Sequence, residues 1–368
     1  MKIGIDCRMK YGVGTILKNI VPLIAKSVDK VFLLGDEKEI STWNFYSDNY
    51  QIVNFPYRVY SPKEQIFFPR KILDITDVFH CPHFNIPLFQ FGKAKLVTTI
   101  NDLIHLSDAM RANWWQKKYV RYYVKEALTK SSHIITLSQY SKQDILNQFS
   151  IEPKKISVVH CGVNRKIFKI RSEAEFQDLA MNLHLNEKYI LVTASIRPHK
   201  NLAGLLKAFT ILKKQFKLPH KLIVVGQLKG FRLKVEDFSI DDELESEIIF
   251  TGYLSDEKVA VLYSFCEVFV FPSLYEGFGL PPLEAMACGA PVICSNNTSL
   301  PEVVGKAGLL VDPFDIKSMV DSILHIVLNK QVKNIMHRKS IEQASNFSWE
   351  MCCNKYLEVY RSQLSLNN

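Results

Sequence analysis

At 368 residues, 47% hydrophobic and 23% charged, the chain has the composition of an ordinary globular protein with room for two domains, which excludes a low-complexity or disordered polymer. Eight scattered cysteines without a Cys-x-x-Cys spacing argue against a zinc site or a disulfide framework. The net charge of +9 falls entirely in the first half, where residues 1–165 hold 23 Lys+Arg against 14 Asp+Glu and the remainder holds 23 of each. That half is expected to meet an anionic partner such as a membrane surface or lipid phosphate. Nucleic acid is not expected, because no phosphate-contacting motif accompanies the charge.

The chain opens on a strand, Lys2 to Asp6, where a secretory leader would otherwise stand, and no apolar run approaches the ~20 residues of a membrane span. A cytoplasmic location is therefore expected. A glycine loop at Gly12-Val-Gly14 precedes a helical run from Thr15, with Ile16, Ile20, Leu23 and Ile24 at helical spacing. Strands are expected at 31–34, 51–55, 78–79, 96–100, 133–137 and 157–160, with helices at 114–129 and 141–148 among the segments between. On the first of these helices Lys117, Arg121 and Lys125 form one stripe and Trp115, Tyr119 and Tyr122 another. Such faces suit an anionic membrane interface, or else an aromatic core face with solvated cations. Residues 166–188 read as a linker with a short helix near Glu173–Leu183. The pattern then restarts with a strand at Tyr189–Thr193 and a helix from Asn201 that buries Leu202, Leu205, Leu206, Phe209 and Leu212. Further strands follow at 222–225, 248–250, 268–271, 292–293 and 309–311, and a closing helix at 348–364. Short apolar strands alternating with helices predict parallel sheets, hence two α/β domains, at 1–165 and 189–347.

The segment Ser273-Leu-Tyr-Glu276-Gly-Phe-Gly-Leu280-Pro-Pro-Leu-Glu284 carries the most chemistry. It runs from the strand Val268–Phe271 into a helix expected from Leu283, stopped by Gly289. A glycine-containing loop entering a helix N-terminus favours an anion through unpaired N–H groups and the dipole. Carboxylates touching that anion would repel it, so Glu276 and Glu284 make more sense as acceptors for neutral hydroxyls on either side of a diphosphate. A nucleotide-sugar has that layout. Ser195-Ile-Arg197-Pro-His-Lys200-Asn201 follows the first strand of the second domain and puts two cations three residues apart at a loop, where Arg offers a fork and Lys a point charge to a phosphate.

These words resemble the E-x7-E and R-x-x-K-N/G motifs of retaining family 4 glycosyltransferases, and the likeness extends over almost the whole chain. The resemblance implies a GT-B fold, two Rossmann-like domains facing a central cleft, with the closing helix crossing back to the first domain. It implies that Glu276 faces the donor hexose, that Gly277, Phe278, Gly279 and Leu280 supply backbone contacts, and that Glu284 binds the ribose. Arg197 and Lys200 would take the place of a metal at the leaving diphosphate, with Asn201 beside them, so neither cofactor nor metal is implied. Phe250-Thr-Gly-Tyr-Leu254 resembles the turn that reads the nucleobase, and Gly14 the loop that closes on the diphosphate.

On the sugar and acceptor side the resemblance points to Asn101, Asp102, His105 and His83. Asn101 stands where many relatives have histidine; it forms hydrogen bonds but cannot titrate, which bears on donor preference more than on reaction class. His80-Cys-Pro-His83 is similar to a segment of bacterial mannosyl- and rhamnosyl-type members. The implied activity is hexose transfer from a nucleotide diphosphate sugar, GDP-mannose-like or UDP-linked, to a glycan or lipid-linked acceptor at the inner membrane face. A non-hydrolysing UDP-sugar epimerase and a basic non-catalytic scaffold are the alternatives; the first lacks E-x7-E, and the second has no use for the aligned set Arg197, Lys200, Glu276 and Glu284.

Overall fold

Apolar runs buried on both faces form the central strands, as parallel sheets covered by helices require, while the edge strands are only partly covered. The computed structural model describes residues 1–89, 92–110, 112–193, 197–226 and 242–365. It divides into two units, Met1–Gly162 with Ser348–Asn368, and Val163–Phe347. Residues 163–165 thus go with the second unit. So does 166–188, expected as a linker: Phe176 of its helix stacks on Phe265 at 4.5 Å, and the Arg171 N–H donates to Ser264 Oγ.

The first unit holds β1 (Lys2–Asp6), β2 (Lys30–Gly35), β3 (Tyr50–Asn54), β4 (Val78–Cys81), β5 (Lys95–Thr99), β6 (His133–Thr136) and β7 (Ile156–Val158), ordered β3-β2-β1-β4-β5-β6-β7. The second holds β8 (Tyr189–Thr193), β9 (Lys221–Val225), β10 (Ile248–Gly252), β11 (Val268–Phe271), β12 (Val292–Ser295) and β13 (Leu309–Val311), ordered β10-β9-β8-β11-β12-β13. All pairs are parallel, with Ile3 opposite Val78 and Val268 opposite Ile190. Strand order reverses between β1 and β4 and again between β8 and β11. Loops leaving such neighbours diverge to opposite faces and open a crevice at the strand C-termini, where ligands of α/β sheets bind.

The helix Leu202–Lys214 buries Leu202, Leu205, Leu206, Phe209 and Leu212 as its periodicity predicts, against Ile190, Val192, Leu222 and Val270. Two helix starts differ from expectation. Gly12 and Gly14 do not form a loop: they lie in the first turn of the helix Tyr11–Ser27, where Gly14 is needed because a Cβ would sit 2.9 Å from the Met9 carbonyl oxygen. The helix expected from Leu283 begins at Leu280, since Pro281 and Pro282 occupy first-turn positions that need no N–H. The turn into it depends on Gly279, at φ +122°, where a Cβ would also meet Leu300 at 2.8 Å.

The closing helix Trp349–Ser365 packs within the first unit, and its Tyr360 hydroxyl meets His80 Nδ1 at 2.9 Å. Gly162 lets the returning chain approach, for a Cβ there would stand 2.2 Å from the Trp349 nitrogen. Backbone cannot yield as a flexible side chain does. Gly162→Ala is expected to destabilise the protein by ~1–3 kcal/mol, read as a lower urea midpoint at unchanged slope.

Candidate active site

In the second unit the reversal between β8 and β11 places two loops side by side, and each delivers one of the expected groups. After β8 the chain passes Arg197 and makes the turn Pro198–Lys200; Ser195 and Ile196 of that motif lie outside the described residues. After β11 it reaches Ser273 and Glu276. Lys200 Nζ and Glu276 Oε1 meet at 2.5 Å, with both side chains mostly shielded, at 17% and 15% exposure. Ser273 Oγ donates to the same Oε1 at 2.6 Å. Both bonds fall on Oε1, which leaves Oε2 to accept a hydroxyl. Lys200 Nζ also lies 5.0 Å from the Phe271 ring centroid, a cation–π contact that fixes the ammonium, and among the described residues Glu276 is its one hydrogen-bond acceptor.

The Glu276 loop is held from both sides. The Leu274 N–H donates to the His199 carbonyl at 2.6 Å, which ties the β11 loop to the β8 loop. Ser299 Oγ lies 2.9 Å from the Glu276 carbonyl and 2.6 Å from that of Phe278, while the Glu276 N–H donates to Thr298 Oγ1. Phe278 is buried edge-on against Phe347, so its contribution at the site is backbone alone. Gly277 lies in this clamped loop, and Leu280 starts the helix. Sequence reading missed the roles of Ser273, Thr298 and Ser299. A serine three residues before the first motif glutamate is a local signal; the segment Ser295–Glu302 continues the family resemblance, but its spacing does not tell that Thr298 and Ser299 bond to a loop more than twenty residues away.

Arg197 is exposed and makes no ion pair among the described residues. Asn201 does not join the Lys200–Glu276 pair: at φ +53° it starts the next helix, and its Nδ2 donates to the Pro313 carbonyl at 2.8 Å. Leu254, half-buried, follows the Gly252 turn at φ +70°. Glu284 lies one turn into its helix and keeps some solvent-facing surface, yet its carboxyl is enclosed. Desolvation first, and the charge of Asp256 second, push it up to about 8.

In the first unit, His83 is buried and does not present itself to a ligand. Its Nε2 lies 3.3 Å from Asp6 Oδ2. Asp6 also takes Arg8 Nε at 2.9 Å and Nη2 at 2.5 Å, and Arg8 Nη1 reaches Glu64 at 2.9 Å. Burial opposes a charge on His83, but Cys81 and Asp6 beside it prevail and push it up to about 10. Its neighbour His80 is driven the other way, to about 3, by burial and by the charge on His83. Asp6, Cys81 and His83 approach one another closely enough to ligate a metal, but Arg8 already supplies a cation to both Asp6 oxygens. Asn101 Nδ2 donates to the Pro82 carbonyl at 3.3 Å, and its buried Oδ1 has no partner. Asp102 accepts from the Ile104 N–H, and His105 packs edge-on against Phe84.

Residues 174–346 match the family described as glycosyl transferases group 1, and residues 36–166 match glycosyltransferase family 4. The O-antigen chain mannosyltransferase B of Escherichia coli is 34% identical over 310 residues, 83% of this chain and 79% of that protein. The serotype-specific mannosyltransferase WbdA of E. coli is 29% identical over 260 residues, and the chain spans 31% of its length. The Anabaena HepE structure in complex with UDP and glucose superposes with a TM-score of 0.79 at 20% identity, covering 98% of this chain and 100% of that one. The fold is thus GT-B, with two Rossmann-like domains, and the protein is an enzyme. It belongs to glycosyltransferase family 4.

Glu284 makes the site pH-sensitive. Its carboxyl has a folded pKa raised above the unfolded value of 4.5, so the stability linked to its proton is present below about 4.5 and is lost as pH rises through about 8. Glu284→Gln should therefore be less stable than, or equal to, wild type at pH 5 and gain on it steadily by pH 8.5, measured by urea unfolding. A stability difference that does not change with pH would remove the buried-acid assignment.

Proposed function

We propose that the enzyme is a retaining, metal-independent hexosyltransferase that moves a mannose-type hexose from a GDP-sugar to a hydroxyl of a glycan on a lipid carrier. The observation that carries the reading is the Lys200–Glu276 pair at the strand reversal, with Arg197 one turn away and a helix N-terminus behind Glu276. Lys200 and Arg197 offset the charge that grows on the leaving diphosphate, assisted by the N–H groups following Glu276. Oε2 of Glu276 accepts a donor-sugar hydroxyl, and Glu284 accepts the ribose hydroxyls. Mannose is favoured over other hexoses by the two E. coli mannosyltransferases above.

In the transfer step the bond from the sugar C1 to the diphosphate oxygen breaks, and the acceptor oxygen bonds C1 on the same face. The acceptor proton passes to the departing phosphate oxygen. No side chain has to act as the base, which suits Asn101 in a position that cannot titrate.

Lys200→Ala and Glu276→Ala are each expected to lower kcat by ~10²–10³ with the unfolding midpoint little changed. A chelator should leave wild-type turnover as it was. Near-wild-type rates in both variants would overturn the site; activity lost to chelator and restored by magnesium or manganese would overturn metal independence. The excess positive charge of residues 1–165 supports peripheral attachment to an anionic bilayer, although two stripe cations are partly engaged, Lys117 by Asp108 at 2.7 Å and Arg121 over the Phe149 ring. Replacing Lys117, Arg121 and Lys125 by Gln should weaken sedimentation with anionic vesicles, and salt should weaken it for the wild type. Equal sedimentation of both proteins with anionic and neutral vesicles would defeat the attachment.

A further inference from the structure

The first unit contains a cavity of about 1020 Å³ that reaches His105, and no small-molecule role has been given to it above. It sits beyond the ends of β4 and β5, against the helix Trp114–Lys130, and its wall is aromatic: Tyr60, Phe84, Trp115, Tyr119 and Tyr122, with Met110. Tyr60, Trp115, Tyr119 and Tyr122 are 41–62% exposed, so they are not core residues of this unit. The size is at the upper end of small-molecule sites, ~300–1,000 Å³.

The wall is built rather than loosely exposed. The Tyr119 hydroxyl donates to Asn85 Oδ1 at 2.9 Å, the Asn85 amide donates to Glu64, and Glu64 accepts the Tyr60 N–H at 2.9 Å. Arg8 and Asp6 anchor that chain of bonds from below. Tyr60 itself is held at φ +70°, a conformation costly for a bulky residue, which persists only where surrounding structure over-determines it. A buried ionic network is thus committed to fixing two tyrosines at a surface cavity.

Among the described residues no carboxylate lines the cavity; the basic side chains on its wall are Lys118, whose ammonium lies 5.9 Å from the Trp115 ring centroid, and the imidazole of His105. Arg121 and Lys125, exposed on the same helix, continue the positive surface. An apolar chamber with a cation at its wall matches a hydrocarbon chain that ends in a phosphate. Resting on the proposed lipid-linked acceptor, we propose that this cavity binds the hydrocarbon of that acceptor as a single molecule, with its phosphate on Lys118. The lipid then contributes to acceptor selection directly, beyond bringing enzyme and substrate to one membrane.

The probe is farnesyl phosphate below its aggregation concentration, titrated calorimetrically into the full-length enzyme beside farnesol, inorganic phosphate and methyl α-mannoside. Farnesyl phosphate should bind saturably, at least tenfold more tightly than farnesol, with no heat from phosphate or mannoside alone. Trp115→Ala should weaken both prenyl ligands about tenfold, and Lys118→Gln should abolish the preference for the phosphate. Both side chains are exposed, so neither change threatens folding. Several results would overturn the assignment: methyl α-mannoside displacing the ligand, unaltered affinity in Trp115→Ala, or binding to anionic vesicles without binding of the monomeric probe. A GDP-mannose thermal shift on the same preparation separates the two levels. Donor stabilisation without farnesyl phosphate binding rejects the cavity alone, and absence of donor stabilisation rejects the GDP-mannose donor of the proposed function.

Discussion

The reversal of strand order between β8 and β11 is the constraint on which the second unit depends. Two strands side by side in the sheet send their loops to opposite faces, and the backbone bond from Leu274 to the His199 carbonyl draws those loops together at their start. Lys200 and Glu276, seventy-six residues apart, then share one short ion pair. A shielded pair of this kind gains little net stability, because desolvation offsets most of the attraction. Its value is geometric: each partner fixes the other's rotamer, and Ser273 and Phe271 restrict them further.

The first unit makes a different use of charge. Asp6, Arg8, Glu64 and His83 are all close to fully buried, and the network stays near neutral because each ion faces an opposite one. Arg8 holds Asp6 far below the usual carboxylate range despite burial, while Glu64 is raised because burial outweighs the same guanidinium. Two histidines three residues apart thus take opposite states, His83 charged against Asp6 and His80 neutral between Thr99 and Tyr360. The charge of the histidine segment is thus balanced by protein groups.

Within the second unit the two motif carboxyls are set to different ends. Glu276 is paired with the Lys200 ammonium, whereas the Glu284 carboxyl is desolvated and lies near Asp256, so that its proton is retained to higher pH. The two glutamates are chemically distinct, although the motif writes them with the same letter.

The amino-acid sequence by itself determined the local features of this protein. Strands β1, β8, β11 and β13 lie where their apolar runs begin and end, because a buried parallel strand needs an uninterrupted apolar run. The Glu173–Leu183 helix is bounded by its own capping box. The motif residues that name the family were legible because a loop, a helix start and their glycines are written within a dozen positions. Tertiary structure alone decided what separated segments do to one another. It moved His83 from a candidate ligand group into a buried ion pair with Asp6, and it set Ser299 under the Glu276 loop. It also assembled Tyr60, Phe84 and the tyrosines of the helix Trp114–Lys130 around one chamber. In each case the deciding force is desolvation or steric contact between residues distant in the chain, and neither is encoded in the spacing of neighbours.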